Sequence, residues 1–178
     1  MPQREAKFEV GASPQEVWRF IRDFESLCTC IPGVERIKLV DDRTAELTVK
    51  EKVGIVPLIL ALTAHIDSEE PPRRLHATAK AEHLTMDIDV ALRGIETGTE
   101  LVALFKVKGE GQLKAVVDSL FERRATERTA QFAASLEQRF GTATPREAAK
   151  PPRGAGQFGR WLKRLWHKFL GTSAPPGK

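Results

Sequence analysis

Apolar and polar positions alternate with two different periods along this chain, and the order of the periods predicts its architecture. Near the start, "AKFEV" sets Phe8 and Val10 between charged neighbours, the pattern of a half-buried strand. The period then changes. Ser13-Pro14-Gln15-Glu16 reads as a helix start, with Ser13 as cap, Pro14 in the first turn and Glu16 closing a capping box. Val17, Phe20, Ile21 and Phe24 follow at helical spacing, which predicts an amphipathic helix of about three turns. The helical region ends at Pro32-Gly33.

Alternation returns and persists to about residue 110. "RTAELTV" opposes Ala45, Leu47 and Val49 to Thr44, Glu46 and Thr48. The longest apolar stretch, "VGIVPLILALTA", falls short of the ~20 residues needed to span a bilayer. It contains Pro57 and runs into His65-Ile66-Asp67, so it reads as a buried strand, with Leu58, Leu60, Leu62, Ala64 and Ile66 on one face. After a turn at Glu70-Pro71-Pro72, "RRLHATAKA" turns Leu75, Ala77, Ala79 and Ala81 inward. "LTMDIDVAL" does the same with Leu84, Met86, Ile88, Val90 and Leu92, leaving Thr85, Asp87 and Asp89 outside. A hairpin turn in "IETGTE" leads to "LVALFKV", with Leu101, Ala103, Phe105 and Val107 on one side. Short strands joined by tight turns predict one antiparallel sheet, wet on one face and buried on the other.

From Gln112 to Phe140 there is neither Pro nor Gly. Leu113, Val117, Phe121, Ala125, Thr129, Phe132, Leu136 and Phe140 recur near helical spacing until Gly141 stops the run, a helix of roughly 28 residues. The predicted fold class is α+β: a curved antiparallel sheet gripping a long C-terminal helix.

Charge divides the chain in two. Residues 1–147 carry 21 Lys+Arg against 24 Asp+Glu, a net of −3, while residues 148–178 carry seven cations and no acid, a net of +7. Such asymmetry points to an anionic partner for the tail. Residues 141–157, rich in Pro, Gly and Ala, read as a flexible linker, and 172–178 as a disordered end. Between them, 158–171 lays Phe158, Trp161, Leu162, Leu165, Trp166, Phe169 and Leu170 on one half of a helix. Arg160, Lys163, Arg164, His167 and Lys168 occupy the other half. At ~20 Å the segment is too short to span, but it can lie in the headgroup region with its cations on anionic lipid. Nucleic acid would use the charges and strand the apolar side chains, so no nucleic-acid partner is expected. Docking on its own domain or on a partner protein's groove is the alternative.

The folded part, residues 1–140, resembles a known family. "F-x-V-x-A-S-P-Q-E-V-W" (Phe8 to Trp18), "CIPGVERI" (Cys30 to Ile37), "KVG" (Lys52 to Gly54) and "GTEL" (Gly98 to Leu101) are similar to the CoxG family of carbon monoxide dehydrogenase subunits. That family lies within the START-like, helix-grip (SRPBCC) superfamily. The resemblance implies a non-catalytic accessory of a molybdenum hydroxylase of the carbon-monoxide-dehydrogenase type. It implies association with the cytoplasmic face of the inner membrane, and tethering of the enzyme or delivery of its electrons to respiratory quinone. The superfamily implies an apolar ligand between sheet and last helix.

The residues point to such a cavity independently. Ala77, Ala79 and Ala81 are three successive inward positions, and Ala125 lies mid-helix where the ends carry larger side chains. Empty volume costs ~24 cal/mol per Å³, so a gap here invites a ligand. Its expected walls add Leu60, Leu62, Met86, Ile88, Leu101, Phe105, Val117 and Phe121, an apolar lining suited to a quinone or similar isoprenoid.

Catalytic and metal chemistry find little support. His65 and His76 fall on the wet face, without Cys or carboxylate at ligand spacing, so no metal is expected. His83 beside Glu82 could act as a base or quinone hydrogen-bond donor, though a surface histidine near a strand end is the plainer reading. Cys28 and Cys30, spaced C-x-C, read as reduced structural thiols. "MPQREAKFEV" has no apolar segment of secretory-signal length, so a cytoplasmic protein is expected. Two other functions remain open: a ligand-free recruitment or assembly factor, and a START-like enzyme acting on an apolar substrate.

Overall fold

The computed structural model describes residues 2–53 and 55–141. Their strands are β1 (Gln3–Val10), β2 (Val34–Leu39), β3 (Thr44–Val53), β4 (Val56–Glu70), β5 (Arg74–Ala81), β6 (Leu84–Ile95) and β7 (Gly98–Gly109). The helices are α1 (Pro14–Arg22), α2 (Phe24–Cys30) and α3 (Leu113–Phe140). All seven strands join one antiparallel sheet in the order β1-β7-β6-β5-β4-β3-β2. Bulges at Val34/Arg36 and Ile66/Ser68 interrupt the ladders, and a bulge bends its strand and increases the local twist.

Local chemistry explains the first helices. The Ser13 hydroxyl accepts from the Glu16 amide at 3.3 Å, and the Glu16 carboxylate accepts from the Ser13 amide at 2.9 Å, the capping box expected from the sequence. The expected continuous helix is instead two. Asp23 ends α1 and starts α2, its carboxylate accepting from the Glu25 amide at 3.1 Å and the Ser26 hydroxyl at 2.6 Å. Val17 and Phe20 on α1 and Phe24 on α2 still serve one core. The apolar spacing therefore continues across a backbone break that only the cap reveals.

α3 packs on β7 and β1. The Phe8 and Phe132 rings meet edge to face with centroids 5.3 Å apart, and Phe20 meets Phe140 at 5.2 Å. The core falls into two apolar clusters. The larger gathers Phe8, Val10, Val17, Phe20, Ile66, Ala77, Leu101 and Leu136 beneath the C-terminal half of α3. The smaller gathers Leu62, Leu84 and Val107, with Val117 and Phe121 from its N-terminal half.

One expectation needs correction. The apolar stretch before His65 is buried only in its later part: Leu62, Ala64 and Ile66 lie inside, whereas Ile55 is 99% exposed, Val56 61% and Ile59 62%. The reason is register. Pairing of β4 with β5 begins only at Thr63↔Lys80 and that of β2 with β3 only at Val34↔Val49, so residues 56–59 with their β3 partners reach past the sheet.

Candidate functional site

Register brings the small residues together. Ala45 pairs with Ala64, Ala64 with Ala79 and Ala79 with Met86, a row of three alanines across β3, β4 and β5. The row belongs to neither apolar cluster. On α3, Ala125 falls between Phe121, which serves the small cluster, and Phe132, which serves the large one. Around this band Leu47, Val49, Leu60, Met86, Ile88 and Phe105 face inward and yet remain half-buried. Inward-facing side chains of this size are ordinarily buried completely in a well-packed core. These side chains are packed less completely than the centres of the two clusters, while the alanine row itself is buried, Ala45 at 0% exposure.

The expected wall residues distribute between the two clusters. Leu60, Leu62, Ala81, Met86, Val117 and Phe121 belong to the smaller, and Ala77, Ile88, Leu101 and Phe105 to the larger. Ala79 is buried in the band between them, and Ala125 is half-buried on the helix. Ala45, Ala64, Leu47 and Val49 were not among the expected residues. Alternation gave their direction, but only strand pairing shows that they adjoin Ala79 and Leu62.

A cleft of about 270 Å³ opens between α3 and the β2–β3 edge, lined by Gly33, Val34, Glu35, Lys50, Glu51, Lys52, Arg124 and Arg128. The Arg128 guanidinium donates to the Glu51 carboxylate at 2.5 Å, a pair that ties the helix to β3 across 77 positions of sequence. Gly33 sits against this pair at φ +89°, where a Cβ would come within 2.7 Å of the Lys50 carbonyl oxygen and 3.3 Å of the Arg128 guanidinium. Four cations against two acids make the opening electropositive.

The histidines lie elsewhere. His65 is exposed and bonded to the Thr44 hydroxyl at 2.9 Å. On the outer face His76 Nδ1 lies 2.7 Å from Asp89, with Asp67 at 3.8 Å from Nε2. His83 turns the chain between β5 and β6 at φ +62°, exposed and 3.6 Å from Glu82. Cys28 and Cys30 are free and buried, and burial first, then the nearby Asp23 charge, pushes the Cys28 thiol up to about 11. Among the described residues, no group of three or more His, Cys, Asp or Glu is placed to hold a metal ion. Nor is any described helix long and apolar enough to cross a membrane. The linker 141–157 beyond Gly141, the segment 158–171 and the end 172–178 lie outside the described residues.

Comparison with known proteins bears on this geometry. The family model of CoxG, a subunit of carbon monoxide dehydrogenase, matches residues 6–141. No protein of curated function matches the chain in sequence. Among solved structures, a conserved protein from Geobacillus kaustophilus is similar with a TM-score of 0.65 at 15% identity, over 78% of this chain and 94% of that one. A START superfamily protein from Mycobacterium smegmatis is similar with a TM-score of 0.62 at 16% identity, over 78% and 96%. A protein from Thermus thermophilus follows at 0.60 and 16%, over 78% and 96%. At these identities the likeness speaks to the fold, which is START-like.

Proposed function

The chain belongs to the CoxG family of carbon monoxide dehydrogenase subunits, and on that footing we propose that it is a non-catalytic accessory of a molybdenum hydroxylase of the carbon-monoxide-dehydrogenase type. It holds a hydrophobic isoprenoid, a respiratory quinone, between α3 and the sheet. Residues 158–171 keep it on the anionic cytoplasmic face of the inner membrane, and the bound quinone links the enzyme to the membrane pool. The observation that supports this reading is the band of small residues between the two apolar clusters, with buried Ala45, Ala64 and Ala79 in a row and half-buried Leu60, Met86, Ile88 and Phe105 around them.

Apolar walls suit an isoprenoid chain, because each buried CH₂ is worth ~0.8 kcal/mol. A quinone ring carries two carbonyl acceptors, and the cations of the cleft, Lys52 and Arg124 among them, supply donors where a polar head would emerge. The three described histidines lie on the outer face or at a turn, away from the band, which favours carrying over chemistry.

Replacing Ala79 tests the reading. Ala79→Phe puts a ring into the band and is expected to weaken quinone binding, read by fluorescence titration, at least tenfold. If the band is empty, the ring enters with little loss of stability. Binding equal to that of the unaltered protein contradicts the reading. So does a stability loss beyond the ~1–3 kcal/mol typical of overpacking, because the ring would then be displacing a core already full.

A further inference from the structure

The β3–β4 hairpin reaches past the sheet, and its end is built unlike the rest of the surface. β4 residues 56–62 pair with β3 alone, and β2 pairs with β3 no further than Val34↔Val49. The overhang, residues 50–53 against 56–59, is therefore two-stranded and roughly 13 Å long. Its end carries Ile55 at 99% exposure, with Val56 and Ile59 about three-fifths exposed. Single exposed apolar residues are ordinary, whereas adjacent β-branched ones, Ile55 and Val56, at a protruding end mark a contact surface. Behind Ile55 and Val56, Lys52 lies opposite Pro57 and Lys50 opposite Ile59, so Ile59 stands level with the lysines. Lys50 lies 3.5 Å from Glu35, both half-exposed, and such a pair is worth little in water. At the other end of β3 the exposed Leu39 and Val40 stand among Lys38, Asp41, Asp42 and Arg43, a mixed set of charges, whereas the exposed charges at the hairpin end are the lysines.

From this arrangement we infer that the end of the β3–β4 hairpin inserts into an anionic lipid surface, with Ile55 and Val56 among the acyl chains and Lys52, Lys50 and Ile59 at the level of the headgroups. Apolar tip and cationic collar are the order in which a bilayer presents its layers. The same lysines line the cleft beside α3, so insertion brings that opening to the membrane, where a lipid can pass between bilayer and band without crossing water. The inference rests on the reading of the chain as a membrane-associated lipid carrier, and adds a contact separate from residues 158–171.

The test uses the full chain with vesicles of phosphatidylcholine and phosphatidylglycerol. Ile55→Cys, labelled with an environment-sensitive dye, reports insertion; Cys28 and Cys30 are buried and Cys28 resists deprotonation near neutral pH, so labelling favours position 55. The dye is expected to shift to the blue on adding vesicles. Ile55→Asp is expected to weaken partitioning roughly tenfold or more, the scale of one buried aliphatic side chain, while Ile55→Leu preserves it. Because position 55 is open to solvent, neither variant should alter the melting temperature. If the chain partitions but the dye does not shift and Ile55→Asp binds equally, the hairpin inference is overturned and the membrane reading stands. A chain that stays off the vesicles altogether overturns both. Emission already blue-shifted before vesicles are added would mean that protein covers the tip, either residues 158–171 or a second copy, and overturns the lipid assignment.

Discussion

Glu100 shows how single side chains secure the sheet that carries the site. It is 7% exposed on β7, ion-paired to Lys7 on β1 and held by Arg93 on β6, whose Nε and Nη2 donate at 3.1 and 2.8 Å. Burial raises its pKa, but the hydrogen bonds and charges of Lys7 and Arg93 together outweigh that, and it stays below the ordinary 4.5. A carboxylate depressed in the folded state stabilises the fold above its unfolded value, and the gain fades as pH falls through the folded one. Glu100→Gln is therefore expected to lose about 1–2 kcal/mol at neutral pH. Its denaturant midpoint should then change less than the unaltered protein's between pH 5 and pH 3. An equally steep acid limb in both would contradict this role. Nothing in the sequence singled out Glu100, because its partners lie 93 and seven positions away and meet it only through register.

At the scale of elements, strong periodicity was legible and its interruptions were not. The alternation in "LTMDIDVAL" and the long run to Phe140 match β6 and α3 closely. β2 escaped notice because its bulge at Val34/Arg36 breaks the alternation and because, as an edge strand, it exposes Glu35, Arg36, Lys38 and Leu39. The α1–α2 break escaped because Asp23 caps both helices without disturbing the apolar spacing. The alanines of the band were half legible: their direction follows from alternation, their alignment from pairing. The turn before β2 is the element most exposed to a small change. Gly33 holds φ +89° with its carbonyl accepting from the Lys50 amide at 2.8 Å. Gly33→Ala is expected to cost about 1–3 kcal/mol and to loosen the Arg128–Glu51 closure. Thermal unfolding and proton exchange at the Lys50 amide check it; an unchanged melting temperature and unchanged protection would count against the account.

At the scale of the whole molecule, the division of charge is the clearest feature of the chain: −3 over residues 1–147 and +7 over the remainder. An acidic body offers little for anionic lipid to hold, so under the proposed function the membrane is met at two local places, the cationic segment 158–171 and the lysine-collared end of the β3–β4 hairpin. Under the proposed function the core divided into two clusters has a purpose beyond stability, since α3, fastened at both ends, would admit a ligand beneath its middle. The most direct measurement of that claim is organic-solvent extraction of the full-length protein, purified from a membrane-containing host without detergent, followed by mass spectrometry of the extract. An isoprenoid quinone recovered at close to one molecule per chain, and depleted in Ala79→Phe, is the predicted result. A protein that yields no isoprenoid and takes up none when quinone vesicles are offered would contradict it.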